Sequence, residues 1–91
     1  TYDPDAPITK QEAAKTLYQM ARQLGLDTEA GQDVDLTQFE DADEISDDAA
    51  DAVRWAYAAD LLMEKDGKLH VTDELSQKEL TRMLEDFLDL I

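Results

Sequence analysis

The stretch that decides the fold is ITKQEAAKTL (residues 8–17), which recurs in degenerate form 67 positions later as LSQKELTRML (residues 75–84). In both copies an apolar residue precedes a hydroxyl residue, and a glutamate follows three positions after the hydroxyl. This is the capping-box pattern, in which the two side chains bond the first free amides of a helix. Thr9 with Glu12 and Ser76 with Glu79 therefore predict two similar helix starts within an internal repeat.

Apolar residues with helical spacing extend the prediction to the rest of the chain. The sequence predicts helices over residues 10–24, 47–62 and 77–90. Gly25 is the expected end of the first helix, and Ser46 is the expected N-cap of the second. We expect an all-α three-helix bundle with long irregular loops, and a core that contains Leu17, Val53, Ala56, Leu84, Phe87 and Leu88.

The connecting segments divide the chain into parts of one domain. Residues 1–25 form the closing half of one repeat, residues 26–38 an acidic connecting loop, and residues 39–91 one complete repeat. Within the complete repeat, Asp66-Gly67 predicts a tight turn, with at most a short β-bridge or hairpin over 63–71.

The charge of the chain restricts its partners. Its 91 residues include 23 Asp and Glu against 8 Lys and Arg, so the net charge is −15. A nucleic-acid partner is excluded because it needs a basic face, and no apolar run is long enough for membrane insertion. The hydrophobic fraction of 43% predicts a folded core. There is no cysteine, so neither a disulfide nor a thiolate metal site is expected.

The order of the motifs resembles the S-layer homology family, whose repeats anchor bacterial surface proteins to cell-wall polysaccharide. The matching segments are FED (39–41), AVRWA (52–56), YDP (2–4) with ITKQE (8–12), and LSQKE (75–79). The resemblance implies a non-catalytic module on the bacterial cell surface, with about one and a half repeats. Its implied partners are cell-wall polysaccharide or neighbouring repeats of the same kind.

The resemblance also implies a ligand site. In the family, a basic residue at a helix start contacts an acidic sugar, and the corresponding residues here are Lys10 and Gln77. Free helix-start amides beside Lys10 would complete such an anion site. The other interpretation of Lys10 is an ion pair with Asp3, Asp5 or Glu12. Trp55 would line the sugar groove or, alternatively, pack between helices.

Two further functional hypotheses come from the acidic residues. A degenerate repeat would serve as an acidic protein-interaction or spacer module. Alternatively, calcium would stabilise the surface of the module by binding to two acidic clusters, Asp33/Asp35 and Asp41/Asp43/Glu44. These clusters lack the EF-hand spacing, and a solvated loop is the simpler interpretation. His70, the one histidine, has no nucleophile signature or second histidine near it. The sequence therefore predicts no enzyme and, calcium apart, no cofactor.

Overall fold

The computed structural model describes residues 8–29 and 31–91, and it shows an all-α three-helix fold. The helices are α1 (Lys10–Gln23), α2 (Ala50–Ala58) and α3 (Gln77–Leu88). Two short 3₁₀ helices, Leu36–Gln38 and Ala42–Glu44, lie in the long connection between α1 and α2. The predicted fold class is confirmed. Residues 2–4, which supply the first part of the closing motif, lie outside the described residues.

Hydroxyl caps begin α1 and α3, as the repeat predicts. The Thr9 hydroxyl accepts a hydrogen bond from the Glu12 N–H at 3.3 Å, and the Ser76 hydroxyl accepts one from the Glu79 N–H at 3.1 Å. At α3 the capping box is complete, because the Glu79 carboxylate also accepts from the Ser76 N–H at 3.3 Å. Thr9, Ser76 and Glu79 therefore have the predicted capping role, whereas the Glu12 carboxylate accepts from the Thr9 hydroxyl at 3.3 Å and not from a backbone amide, so the predicted capping box at α1 is only half formed.

The start of α2 differs from the prediction. The Ser46 hydroxyl does not cap this helix, since it donates to Gln11 Oε1 at 3.0 Å, as does the Ser46 N–H. Residues 47–49 form a turn, and α2 begins at Ala50 after an N-cap, Ala49, that makes no side-chain cap bond. Gln11 on α1 thus holds the segment leading into α2, and the expected Ser46 cap is wrong.

Two helices end in the same way. Gly25 follows α1 with φ of 77°, and Asp60 follows the C-cap of α2 with φ of 64°. In each case the N–H of the next residue donates to the carbonyl five positions earlier, at 2.9 Å in α1 and 2.8 Å in α2. These are Schellman motifs, which normally place glycine at the left-handed position. Asp60 therefore ends α2 earlier than the predicted residue 62.

The core forms around Trp55, which is 2% exposed. Its indole ring lies 5.8 Å from the Tyr18 ring of α1 and 6.3 Å from the Phe87 ring of α3, measured between centroids. The predicted core residues Leu17, Val53, Ala56 and Phe87 are buried.

The outer side of α3 corrects the rest of the predicted core. Leu84 is 42% exposed and Leu88 is 62% exposed, although both were expected to be buried. Met83 and Phe87 face the core instead. Each of the two leucines follows one of these residues, and a step of one residue rotates a side chain by about 100° around the helix.

The loop before α2 requires a residue without a Cβ atom at position 31. A Cβ atom at Gly31 would lie 2.3 Å from the carbonyl oxygen of Arg54 and 2.6 Å from the backbone nitrogen of Trp55. Both of these atoms belong to the backbone of α2, which cannot move aside as a flexible side chain does. Gly31 therefore permits close contact between the acidic loop and α2.

The predicted Asp-Gly turn is present. Asp66 and Gly67 have φ of 57° and 82°, the positive values of a two-residue type I′ turn. Lys65 and Lys68 form one antiparallel β-bridge on either side of it, with hydrogen bonds of 2.8 and 3.1 Å. The prediction of a short β-bridge within 63–71 is confirmed.

A buried carboxylate holds the strand-like segment after this turn. Asp41 is 4% exposed, and its two oxygens accept from the backbone N–H groups of Leu69 at 3.0 Å and Val71 at 3.2 Å. Burial raises the pKa of Asp41, but these hydrogen bonds outweigh burial, and the pKa lies below its ordinary value. Asp41 thus links the first long connection to the segment that leads into α3.

Candidate functional site

The two copies of the repeated motif meet in the structure. The Leu75 N–H donates to the Ile8 carbonyl at 2.8 Å, and Thr9 and Glu74 form an antiparallel β-bridge. Ile8 and Leu75 are equivalent positions of the two copies. The segment before α1 therefore pairs with the segment before α3, and both helix starts lie at one place in the fold.

This pairing occupies the first amides of α1. The N–H groups of Lys10 and Gln11 donate to the carbonyls of Asp73 at 3.1 Å and Val71 at 3.0 Å. The third N–H of the helix donates to the Thr9 hydroxyl. The expectation that free amides join Lys10 in an anion site is therefore wrong, because another segment of the chain has already bonded them.

The Lys10 side chain lies at the edge of a cleft between the two helix starts. Its Nζ atom is 3.7 Å from Glu79 Oε2, so its ion-pair partner is a residue of the second repeat copy and not the predicted Glu12. Asp3 and Asp5, the other predicted partners, lie outside the described residues. Hydrogen bonds with the side chain and backbone of Ser76 lower the pKa of Glu79, and the charge of Lys10 lowers it further.

The cleft has a volume of about 120 Å³ and a mixed lining. Two cations line it, Lys10 and Arg82, together with three carboxylates and an apolar surface. The carboxylates are Asp60, Glu79 and Asp86, and the apolar residues are Leu61, Leu62, Met63, Leu75 and Met83. This chemistry suits a small polar ligand that has both hydroxyl groups and an apolar face.

The other two predicted ligand residues do not join Lys10. Trp55 is buried in the core, so its ring packs between helices and does not face a surface groove. Gln77 is exposed at the start of α3, where it lines a separate, shallow depression with Lys78, Thr81, Arg82 and Glu85. Of the three predicted residues, only Lys10 lines the cleft.

Sequence reasoning missed Arg82 as a member of the cleft. The signal was available, since Arg82 follows the capping glutamate of its copy by three positions, as Lys15 does in the first copy. The two equivalent cations have different surroundings. Lys15 pairs with Asp48 at 2.7 Å, whereas Arg82 borders the cleft and lies 3.9 Å from Asp86. The repeat pattern alone could not distinguish them.

A polar pocket that no sequence motif indicated lies between α1, α2 and the preceding loop. Its volume is about 240 Å³, and its lining includes Tyr18, Arg22 and Arg54. The Arg22 guanidinium lies 5.8 Å from the centre of the Tyr18 ring, and Arg54 pairs with Asp51 at 2.9 Å. Both arginines are thus held by neighbouring side chains.

One carboxylate of each acidic cluster, Asp35 or Asp41, bonds the protein's own backbone. The Asp35 carboxylate accepts from the Thr37 N–H at 3.0 Å and caps a 3₁₀ helix. The hydrogen bond from the Thr37 hydroxyl lowers the pKa of Asp35 most, and the bond from the Thr37 N–H lowers it further. Asp41 bonds two buried amides, as described above. Within residues 8–29 and 31–91, no three His, Cys, Asp or Glu side chains come together in a way that would hold a metal ion. The calcium hypothesis therefore gains no support from these clusters.

His70 belongs to the turn that precedes α3. Its ring Nδ1 lies 3.2 Å from the Asp73 carboxylate, and its Nε2 lies 3.2 Å from the Lys65 carbonyl. The backbone at His70 has φ of 56°, the left-handed conformation of a turn residue. The contacts of His70 thus join the Asp66-Gly67 turn to the segment before α3.

Comparison with known proteins gives no match: no family model, curated protein or solved structure matches this chain. The resemblance to the S-layer homology family therefore rests on the order of the residue motifs. None of the helices in the described part of the chain is long and apolar enough to cross a membrane.

Proposed function

We propose that this chain is a non-catalytic module of the S-layer homology type, belonging to a protein of the bacterial cell surface and binding cell-wall polysaccharide there. One observation carries the proposal. The two copies of the closing motif pair with each other, and Lys10, the residue in the family's ligand-binding position, borders the cleft between them. The order of the motifs supports the family, and the pairing supports the location of the site.

The chemistry of the cleft determines how a sugar would bind. Because the first amides of α1 are already bonded, an acidic group on the sugar would be recognised by the Lys10 ammonium and the Arg82 guanidinium alone. Neighbouring carboxylates such as Asp60 would accept hydrogen bonds from sugar hydroxyls. The ion pair with Glu79 competes for Lys10, since its partner carboxylate lies 3.7 Å away. Weak binding by a single module follows.

Calorimetry with pyruvylated cell-wall glycan tests the proposal. The 91-residue chain should release heat on binding, and Lys10→Ala should abolish it. Lys15→Ala is the matched control, since it removes the same charge from α1 but Lys15 pairs with Asp48 and does not line the cleft. A three-repeat member of the family serves as the positive control. No heat at millimolar glycan, with the positive control binding, would refute the proposal.

The cleft also supports an alternative function as an acidic protein-interaction or spacer module. Its three carboxylates exceed its two cations, Gln77 brings no charge to the second copy, and the chain as a whole carries −15. A basic protein partner would be attracted to such a surface electrostatically, and salt would weaken this attraction by screening the charges. Capture of a basic partner from cell-surface extract should then fall sharply between low salt and about 0.5 M salt. Glycan binding with no salt-sensitive partner would reject this alternative.

A further inference from the structure

The apolar side of the Lys10 cleft includes an exposed methionine. Met63 lies in the segment after α2, lines the cleft and is 59% exposed. The chain has two other methionines. Met83 also lines the cleft but is buried, and Met20 is exposed on α1 but does not line the cleft. Among the methionines, Met63 is therefore the one whose thioether both borders the cleft and is open to solvent.

The Met63 sulfur contacts one of the two cations of the cleft. Arg82 Nη2 donates a hydrogen bond to Met63 Sδ at 3.9 Å. A thioether is a weak acceptor, so this bond holds the guanidinium loosely. The ion pair of Arg82 with Asp86 is also long, at 3.9 Å, and the Arg82 side chain is 68% exposed. The guanidinium can therefore turn toward a ligand in the cleft while the sulfur remains a thioether.

Oxidation changes what this sulfur offers to Arg82. Hydrogen peroxide transfers one oxygen atom to an exposed thioether: a sulfur lone pair forms the S–O bond as the O–O bond breaks, and the departing hydroxide takes the proton of the transferred oxygen and leaves as water. The sulfur loses two electrons, which the peroxide gains. The product, methionine sulfoxide, is polar, and sulfoxide reductases convert it back to the thioether. Its oxygen is a stronger hydrogen-bond acceptor than the sulfur that it is attached to.

We propose that Met63 is a reversible oxidation site, and that its sulfoxide bonds Arg82 and thereby weakens ligand binding in the cleft. The new oxygen is attached to the atom that already contacts the guanidinium, so it accepts from Arg82 in place of the sulfur. An acidic sugar must then compete with this bond for Arg82, and part of the apolar lining of the cleft becomes polar. The effect on glycan rests on the proposed function, whereas the oxidation and its bond to Arg82 do not.

Peroxide treatment of the Met20→Leu chain tests the regulation. Peptide mass spectrometry should find Met63 oxidised and the buried Met83 intact. Calorimetry with pyruvylated glycan should show an affinity lowered about three- to tenfold, the effect of one hydrogen bond, and reduction by methionine sulfoxide reductases should restore it. In the matched control, Met63→Leu, peroxide oxidises Met20 instead and should leave the glycan affinity as it was before treatment. An affinity unchanged by Met63 oxidation, or an equal loss in the control, would overturn the proposal.

Urea unfolding separates this inference from the proposed function. It compares the effect of Met63 oxidation on the unfolding equilibrium constant in Met20→Leu and in Met20→Leu/Arg82→Ala. Because the sulfoxide accepts from Arg82, oxidation should favour unfolding about three- to tenfold less in the chain that keeps Arg82. Equal effects in the two chains would refute the bond between the sulfoxide and Arg82, even if the glycan binds. Unequal effects in a chain that binds no glycan would support the oxidation site and refute the proposed function.

Discussion

Replacement of Asp41 by asparagine tests whether its carboxylate holds the fold together. The carboxylate bonds two backbone N–H groups, at 3.0 and 3.2 Å, that belong to fully buried residues. A hydrogen bond to a charged group contributes about 1.5–3 kcal/mol to stability. The Asn side chain keeps one acceptor oxygen but directs an NH₂ group toward the other amide. Asp41→Asn should therefore lower the free energy of unfolding by about 2–4 kcal/mol.

Urea unfolding followed by circular dichroism measures this loss, and Asp43→Asn is the matched control. Asp43 is exposed and two residues away, so its replacement removes the same charge without the buried bonds. The expected loss for the control is within about 0.5 kcal/mol. An Asp41 variant no less stable than the Asp43 variant would refute the role assigned to this carboxylate.

The pH dependence gives a second readout. The pKa of Asp41 is lowered in the folded state, so the unfolded chain takes up the proton first as the pH falls. The contribution of Asp41 is complete above its unfolded pKa of about 3.9 and is lost as the pH drops below that value toward the folded pKa. The stability difference between the parent and Asp41→Asn should therefore shrink below about pH 4. A difference that stays constant down to pH 2 would contradict this prediction.

Three other substitutions test local features of the fold by the same unfolding assay. Gly31→Ala should lower the free energy of unfolding by about 3 kcal/mol, because the added Cβ would clash with the Arg54 carbonyl. At Gly25 no atom lies within 4 Å of an added Cβ, so Gly25→Ala should cost only about 1 kcal/mol of backbone strain. Equal losses in the two variants would contradict the close contact at Gly31. Asp60→Gly should stabilise by up to about 1 kcal/mol, since Asp60 has φ of 64°, and a lower melting temperature would disprove the cap. Gln11→Ala should cost about 1–2 kcal/mol because its amide bonds the turn before α2, and a loss below about 0.5 kcal/mol would show that those bonds contribute little.

The parts of the fold that the sequence predicted are those determined by neighbouring residues. The caps at Thr9 and Ser76, the left-handed Gly25 and the Asp66-Gly67 turn each depend on side chains within a few positions of each other. Such signals can be read without knowledge of the tertiary structure. They establish the starts of α1 and α3 and the end of α1, whereas α2 was predicted from the spacing of its apolar residues.

The errors arose where distant residues compete for the same group. Ser46 has the chemistry of an N-cap, but its hydroxyl donates to the side-chain oxygen of Gln11, 35 positions away, and α2 begins later, at Ala50. The apolar pattern of α3 is continuous, yet only Met83 and Phe87 face the core, and periodicity does not show which side of a wide stripe is covered.

The same limit applies to the candidate site. The basic position of the closing motif predicted Lys10 as a ligand residue, and the structure places Lys10 at the edge of a cleft. The sequence could not show that the carbonyls of Val71 and Asp73 bond the amides of α1, because that requires the two copies to be adjacent. It also could not show that Trp55, an aromatic residue typical of both cores and sugar sites, is in the core.

The bonds around Val71 have a consequence for how the chain folds. Val71 donates to Asp41 and accepts from Gln11, so one residue connects the long loop, the segment before α3 and the start of α1. Helix α1 has 14 residues, a length at which an isolated helix is only marginally stable in water. It therefore depends on partners some 60 positions away, and contacts over such separations slow folding. We expect the two repeat copies to unfold in a single cooperative step, and a chain cut before Val71 to lose the first helix together with the second copy.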